Sequence, residues 1–196
     1  MRKIGILGGT FNPPHIGHLI IANEVRHALN LAEVRLMPTA TPPHKKAASD
    51  ATEAQRLDMV GLAVRDIDGL TKCALEIERG GVSYTYDTMK RLTELEPDVD
   101  FHFIIGADMI DMLKDWHRID ELIELVTFVG VGRPGAIGKT EFPITIVDIP
   151  EIDLSSTFIR RRIANGETVQ LLIPGTVESY IRKEGLYGSR SHKAGN

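Results

Sequence analysis

Apolar residues recur along this chain in two alternating rhythms. Short runs rich in β-branched and aromatic residues, at 3–7, 34–37, 73–77, 101–105, 128–131 and 144–147, read as six strands, because such side chains suit a pleated surface. Between these runs the spacing lengthens to the helical repeat. Leu19, Ile20, Ala22, Asn23 and Arg26 lie in one helical segment. Leu57, Val60 and Val64 mark a second, and Thr52 with Gln55 forms a capping box ahead of it. Residues 84–95, 119–126, 157–165 and 177–183 continue the series, with Asn165-Gly166 and Pro174-Gly175 as breaks around the last two. This alternation predicts an α/β fold around a mainly parallel central sheet.

No repeat or long linker divides the chain. Its 196 residues, 42% of them hydrophobic, suffice for one core of ordinary size, so 1–188 is expected to be one domain. Residues 189–196 lack apolar periodicity and read as a disordered tail. Residues 39–49 are polar, with prolines and two lysines, and read as a mobile loop. Lys and Arg number 23 against 27 Asp and Glu, and the net charge of -4 offers no general attraction to nucleic acid. An anionic substrate must therefore be met by local charge. No apolar run approaches a membrane span or a leader segment, so no membrane partner is expected and the chain reads as cytoplasmic. The single Cys73 cannot form an internal disulfide and reads as a small core residue.

The first candidate site follows the first strand. There the sequence runs Gly8-Gly9-Thr10-Phe11-Asn12-Pro13-Pro14-His15-Ile16-Gly17-His18 and then turns helical. In a parallel sheet this junction lies at a carboxyl strand end, where ligands bind and helix amides attract phosphate. Gly8 and Gly9 allow backbone to approach a phosphate, and Gly17 leaves room beside the imidazoles. His15 and His18, three apart at a helix start, can face one anion together. A plain Gly/Pro turn with two surface histidines is the structural alternative. A zinc site is another, but the neighbouring sequence offers no evident third and fourth ligand.

A second constellation is Asp153-Leu154-Ser155-Ser156-Thr157-Phe158-Ile159-Arg160-Arg161-Arg162. Ser155, Ser156 and Thr157 can present hydroxyl and amide donors at a helix start, with the forked cation of Arg160 one turn later. An ordinary N-cap followed by solvated arginines would look the same.

The first string resembles the GGTFNPPHxGH signature of the HxGH nucleotidyltransferases, and the second resembles their S-S-T-x-I-R element. That resemblance implies a Rossmann-like, doubly wound domain. It also implies catalytic roles for His15, His18 and Arg160 at the ATP phosphates, with Gly8, Gly9, Thr10, Phe11, Ser155, Ser156 and Thr157 in the same binding region. Further segments are similar to the bacterial nicotinate-nucleotide adenylyltransferase family over nearly the whole chain. In Thr41-Pro42-Pro43-His44-Lys45 the resemblance implies a phosphate contact for Lys45, and Arg56 matches a basic position in the following helix. Ser83-Tyr84-Thr85-Tyr86-Asp87-Thr88 implies nicotinate recognition at Thr85 and Tyr86, with Trp116 stacking on the pyridine ring. Ile104-Ile105-Gly106-Ala107-Asp108 and Arg133 imply further ATP contacts at Gly106, Asp108 and Arg133. A helix cap at Asp108, core packing by Trp116 and Tyr86, and a simple turn at Arg133 remain open as structural readings.

The implied partners are ATP and nicotinate mononucleotide. Mg²⁺ is expected to be carried on the ATP phosphates, without a direct protein ligand or an organic cofactor. A homo-oligomer is compatible with the sequence. Competing expectations are a phosphopantetheine adenylyltransferase, a noncatalytic nucleotide-binding module and a tRNA-synthetase fragment.

Overall fold

The computed structural model describes residues 1–40, 51–132, 140–150 and 152–189. A six-stranded sheet lies at its centre: β1 Arg2–Gly9, β2 Glu33–Pro38, β3 Leu70–Lys72, β4 Val99–Gly106, β5 Thr127–Val131 and β6 Ile144–Val147. The order is β3-β2-β1-β4-β5-β6, and every pairing is parallel. The helices are α1 Ile16–Ala28, α2 Glu53–Val64, α3 Leu75–Arg79, α4 Thr85–Leu95, α5 Ala107–Ile110, α6 Ile119–Leu125, α7 Ser156–Ala164 and α8 Gly175–Glu184. Short 3-10 turns occur at Leu113–Asp115 and Leu186–Gly188.

Alternation along the strands sends apolar side chains to both faces, so each face needs helical cover. Leu7 shares one core with Leu19, Ala22 and Val25 of α1, and with Ile159 and Ile163 of α7. Met59, Val60 and Ala63 of α2 and Val177 and Ile181 of α8 complete that layer. Ile4 and Ile6 share the opposite core with Met89 and Leu92 of α4 and Leu122 of α6. Each fully buried Val, Leu, Ile or Met side chain among these contributes about 1.5–3 kcal/mol.

The expected doubly wound domain is thus present, with a switch point between β1 and β4. Chain winding reverses there, opening a crevice beyond the carboxyl strand ends. Leu7 pairs in register with Ile104, which brings the glycines ending β1 and Gly106 of β4 to the same rim.

Local signals explain several boundaries. Thr52 Oγ1 accepts from Gln55 N at 3.2 Å, while Gln55 Oε1 accepts from Thr52 N at 2.9 Å. Helix α7 stops at Asn165 and Gly166, whose φ is 71°.

The expected strand at 73–77 is corrected. The third strand is Leu70–Lys72, and Leu75–Arg79 is helical. Pairing with β2 ends where Cys73 N donates to Leu36 O at 2.9 Å. Helix formation then turns Glu76 inward, where Thr88 Oγ1 donates to its carboxylate at 2.8 Å. Five residues are too few for apolar spacing to separate the two forms.

Candidate active site

The loop between β1 and α1 is shaped by an unusual residue. Phe11 has φ 48°, yet its ring is 1% exposed. One side of the ring lies against Gly9, where a Cβ would come within 3.0–3.3 Å of three ring atoms. Its other neighbour is His18, met edge-on with centroids 4.8 Å apart. Gly9 is therefore bare to admit Phe11. At Gly8 a Cβ would make only ordinary contact, 3.5 Å from Phe103, so the described packing does not require glycine there.

His15 occupies the N-cap of α1 with extended backbone. Its main-chain N–H donates to Nδ1 of His18 at 3.1 Å, and the two rings stack with centroids 3.6 Å apart. Gly17 makes this possible, since a Cβ there would be 3.0 Å from His15 Nδ1. Burial lowers the His15 pKa to about 4. Burial, then repulsion from His15, lowers that of His18 to about 3. Both imidazoles are neutral at pH 7. Because Nδ1 of His18 accepts, its proton resides on Nε2, leaving a donor there.

Side chains distant in sequence grip the same loop. Arg160 Nη1 donates to Asn12 O at 2.8 Å, and its Nη2 to Thr157 Oγ1 at 3.3 Å. Ser156 Oγ donates to Pro13 O at 2.8 Å, while Ser155 caps α7 by accepting from Phe158 N at 3.2 Å. The two sequence constellations thus meet. Arg161 is exposed, and Arg162 Nε donates to Thr168 O at 2.8 Å.

Arg56, read from sequence as a basic helical position, is 4% exposed. Its guanidinium donates to Thr10 O and Thr39 O, each at 2.7 Å, joining the loop to the end of β2. Burial pushes its pKa down, though an arginine remains charged. The signal was its spacing from Val60 and Ala63 on the buried side of α2. Thr10 itself is exposed.

On the β4 side, the Asp108 carboxylate covers the bare face of Gly106: a Cβ there would be 2.6 Å from Oδ1. Asp108 is otherwise exposed in the first turn of α5. Trp116 meets Phe103 and Phe128 edge-on, each with centroids 6.0 Å apart. Since Phe103 also faces Gly8, these rings link Trp116 to the glycine rim.

Thr85 opens α4 and is half-buried. The Tyr86 side chain lies in the core, its hydroxyl donating to Glu121 Oε2 at 3.3 Å and the Arg118 guanidinium 4.0 Å from its ring centre. Beneath this segment, Glu76 is 3% exposed and burial raises its pKa. Sequence reading missed Glu76 because it assigned a strand there. Lys45 and Arg133 lie outside the described residues.

Stacked imidazoles thus lie beside a glycine loop at the switch point of this sheet. A cytidylyltransferase-like family model matches residues 6–162. A probable nicotinate-nucleotide adenylyltransferase of Geobacillus thermodenitrificans is 51% identical over 194 residues, covering 99% of this chain and 90% of its own. A Bacillus cereus protein of the same description is 52% identical over 189 residues, covering 96% and 100%. The chain belongs to the nicotinate-nucleotide adenylyltransferase family.

The fold agrees. A nicotinic acid mononucleotide adenylyltransferase of Plasmodium falciparum, solved with NaAD, superposes with a TM-score of 0.78 at 21% identity, covering 96% of this chain and 98% of its own. A putative nicotinate-nucleotide adenylyltransferase of Vibrio parahaemolyticus gives 0.71 at 23%, covering 95% and 96%. Among the described residues, no helix is long and apolar enough to cross a membrane.

Proposed function

We propose that this chain transfers AMP from ATP to nicotinate mononucleotide, with His15, His18 and Arg160 at the reacting phosphates. An acceptor phosphate oxygen attacks the α-phosphorus, the bond from that phosphorus to the bridging oxygen breaks, and pyrophosphate leaves with the electron pair. The new phosphoanhydride gives deamido-NAD. No covalent enzyme intermediate is needed, so the task is positioning and charge stabilisation.

The observation that carries this reading is the stacked His15–His18 pair. Two neutral imidazoles held face to face supply a donor at His18 Nε2 without the cost of burying two cations. A triphosphate at the rim favours their protonation and strengthens those bonds as charge develops. Arg160, fixed by Asn12 and Thr157, contributes a permanent charge from the opposite constellation. The start of α7 and the backbone of Gly8 belong to the proposed phosphate cradle, a role also proposed for Lys45 and Arg133.

Mg²⁺ would enter this site as an ion carried by ATP. Among the described residues, no group of three or more His, Cys, Asp or Glu could hold a metal. Exposed Asp108 would accept hydrogen bonds from its water shell. When bound, the ion would screen phosphate charge.

Thr85 and Trp116 are the proposed nicotinate contacts, the first donating to the carboxylate and the second packing on the ring. Tyr86 supports them from the core through Glu121 and Arg118. Cytoplasmic action accompanies this reading. Pyrophosphate release with ATP and Mg²⁺ tests it, with nicotinate mononucleotide, nicotinamide mononucleotide and phosphopantetheine compared in parallel. Release is expected with nicotinate mononucleotide, and Thr85→Val should lower the preference over the amide. A different preferred acceptor would overturn the nicotinate assignment, and unchanged preference in the variant would remove Thr85 from it.

A further inference from the structure

Tyr187 lies in the 3-10 turn that follows α8, far along the chain from the glycine loop. Its backbone has φ 57° and ψ 28°, the left-handed region that a bulky side chain seldom occupies. Glycines stand close by on both sides, Gly185 at φ 66° and Gly188 at φ 74°, so the turn can be tight. Ser189 secures it by donating its main-chain N–H to Leu186 O at 2.9 Å and its hydroxyl to Ile181 O at 3.0 Å. The Tyr187 ring is 4% exposed, and its hydroxyl donates to Asn12 Oδ1 at 2.5 Å.

Asn12 is held through both its side chain and its main chain. Its side chain receives the Tyr187 hydroxyl, and its main-chain carbonyl receives Arg160 Nη1 at 2.8 Å. It follows Phe11, the other left-handed residue at this contact, and precedes His15 by three residues. Backbone strain on both sides of one hydrogen bond persists only where surrounding contacts over-determine it, and such strain collects at sites that need fixed geometry. A phenylalanine would fill the same apolar volume at 187. What the hydroxyl adds is direction: it sets the orientation of the Asn12 amide and, through the short loop, of the His15 N–H that locks His18.

We propose that Tyr187 is a positioning residue for nucleotidyl transfer, its hydrogen bond to Asn12 holding the glycine loop where His15 and His18 meet the triphosphate. This rests on the adenylyltransferase reading for its effect on rate, but the placement of the imidazoles is open to direct measurement without substrate. The turn after α8 thereby becomes part of the active-site support, although it contributes no group to the reacting atoms.

Tyr187→Phe tests this against Tyr180→Phe, which removes a solvent-exposed hydroxyl, bonded to Asp58 Oδ2 at 3.1 Å, from the α2–α8 contact. Tyr187→Phe should lower kcat about tenfold while KM for ATP stays within about twofold. It should also move the imidazole resonances of His15 and His18 in ligand-free protein, and Tyr180→Phe should do neither. Unmoved resonances with wild-type kcat would overturn the proposal, as would equal losses in both variants tracking the folded fraction. If the wild-type chain released no pyrophosphate, the functional reading would fail while the resonances still decided the tie. Should Tyr187→Phe not fold, Asn12→Ala removes the acceptor instead and is judged by the same two signals.

Discussion

The main-chain N–H of His15 is bonded to Nδ1 of His18, so the orientation of one imidazole depends on the backbone of the other. Their rings are stacked, and both are neutral in the unliganded protein because burial opposes protonation. Replacing either ring therefore disturbs a unit rather than an isolated group.

The pair should leave an acid limb in the stability profile. Folded pKa values of about 4 and about 3 lie below the ordinary 6.5, so the unfolded chain takes up protons first as pH falls. Their contribution is complete above pH 6.5 and is lost progressively through the folded values, on the order of 3 kcal/mol for His15 alone. Buried Glu76, with its raised pKa, acts in the opposite sense, so the test compares variant with parent. Urea unfolding between pH 4 and 8 should show a shallower acid decline in His15→Gln. Parallel curves would refute the shift.

Gly8 and Gly9 should respond differently to alanine. At Gly9 the new methyl would meet the Phe11 ring at 3.0 Å, with His18 beyond it, at a cost of about 1–3 kcal/mol. At Gly8 it would meet Phe103 at ordinary distance, leaving stability within about 0.5 kcal/mol of the parent. Gly8→Ala should instead raise KM for ATP, because the proposed phosphate approach is blocked. Thermal unfolding and ATP titration separate these effects, and an unchanged KM would remove Gly8 from the cradle.

Arg56 should behave as a structural tie. Arg56→Met removes two 2.7 Å bonds from the Thr10 and Thr39 carbonyls, at about 2–4 kcal/mol. Arg56→Lys should recover part of that loss, since an ammonium cannot reproduce the fork. Urea midpoints measure both. Loss below about 0.5 kcal/mol in the methionine variant would mean that the carbonyls find other donors.

The sequence by itself determined the strand–helix alternation, the capping box at Thr52 and the composition of the glycine-loop and Ser-Ser-Thr constellations, because each depends on neighbours within a few residues. It also placed His15 and His18 on one turn. It could not distinguish strand from helix at Leu75–Arg79, where the inward turn of Glu76 depends on Thr88 in another element. Nor could it separate Gly8 from Gly9, since only the position of the Phe11 ring makes one glycine necessary to packing. Arg56 reaching two carbonyls, Arg160 reaching Asn12 and Tyr187 closing on the same asparagine were decided by tertiary structure alone. Local patterns establish which backbone form is favourable, whereas these contacts form only when packing the two helical layers brings distant polar groups within hydrogen-bond reach and excludes the water they would otherwise bind.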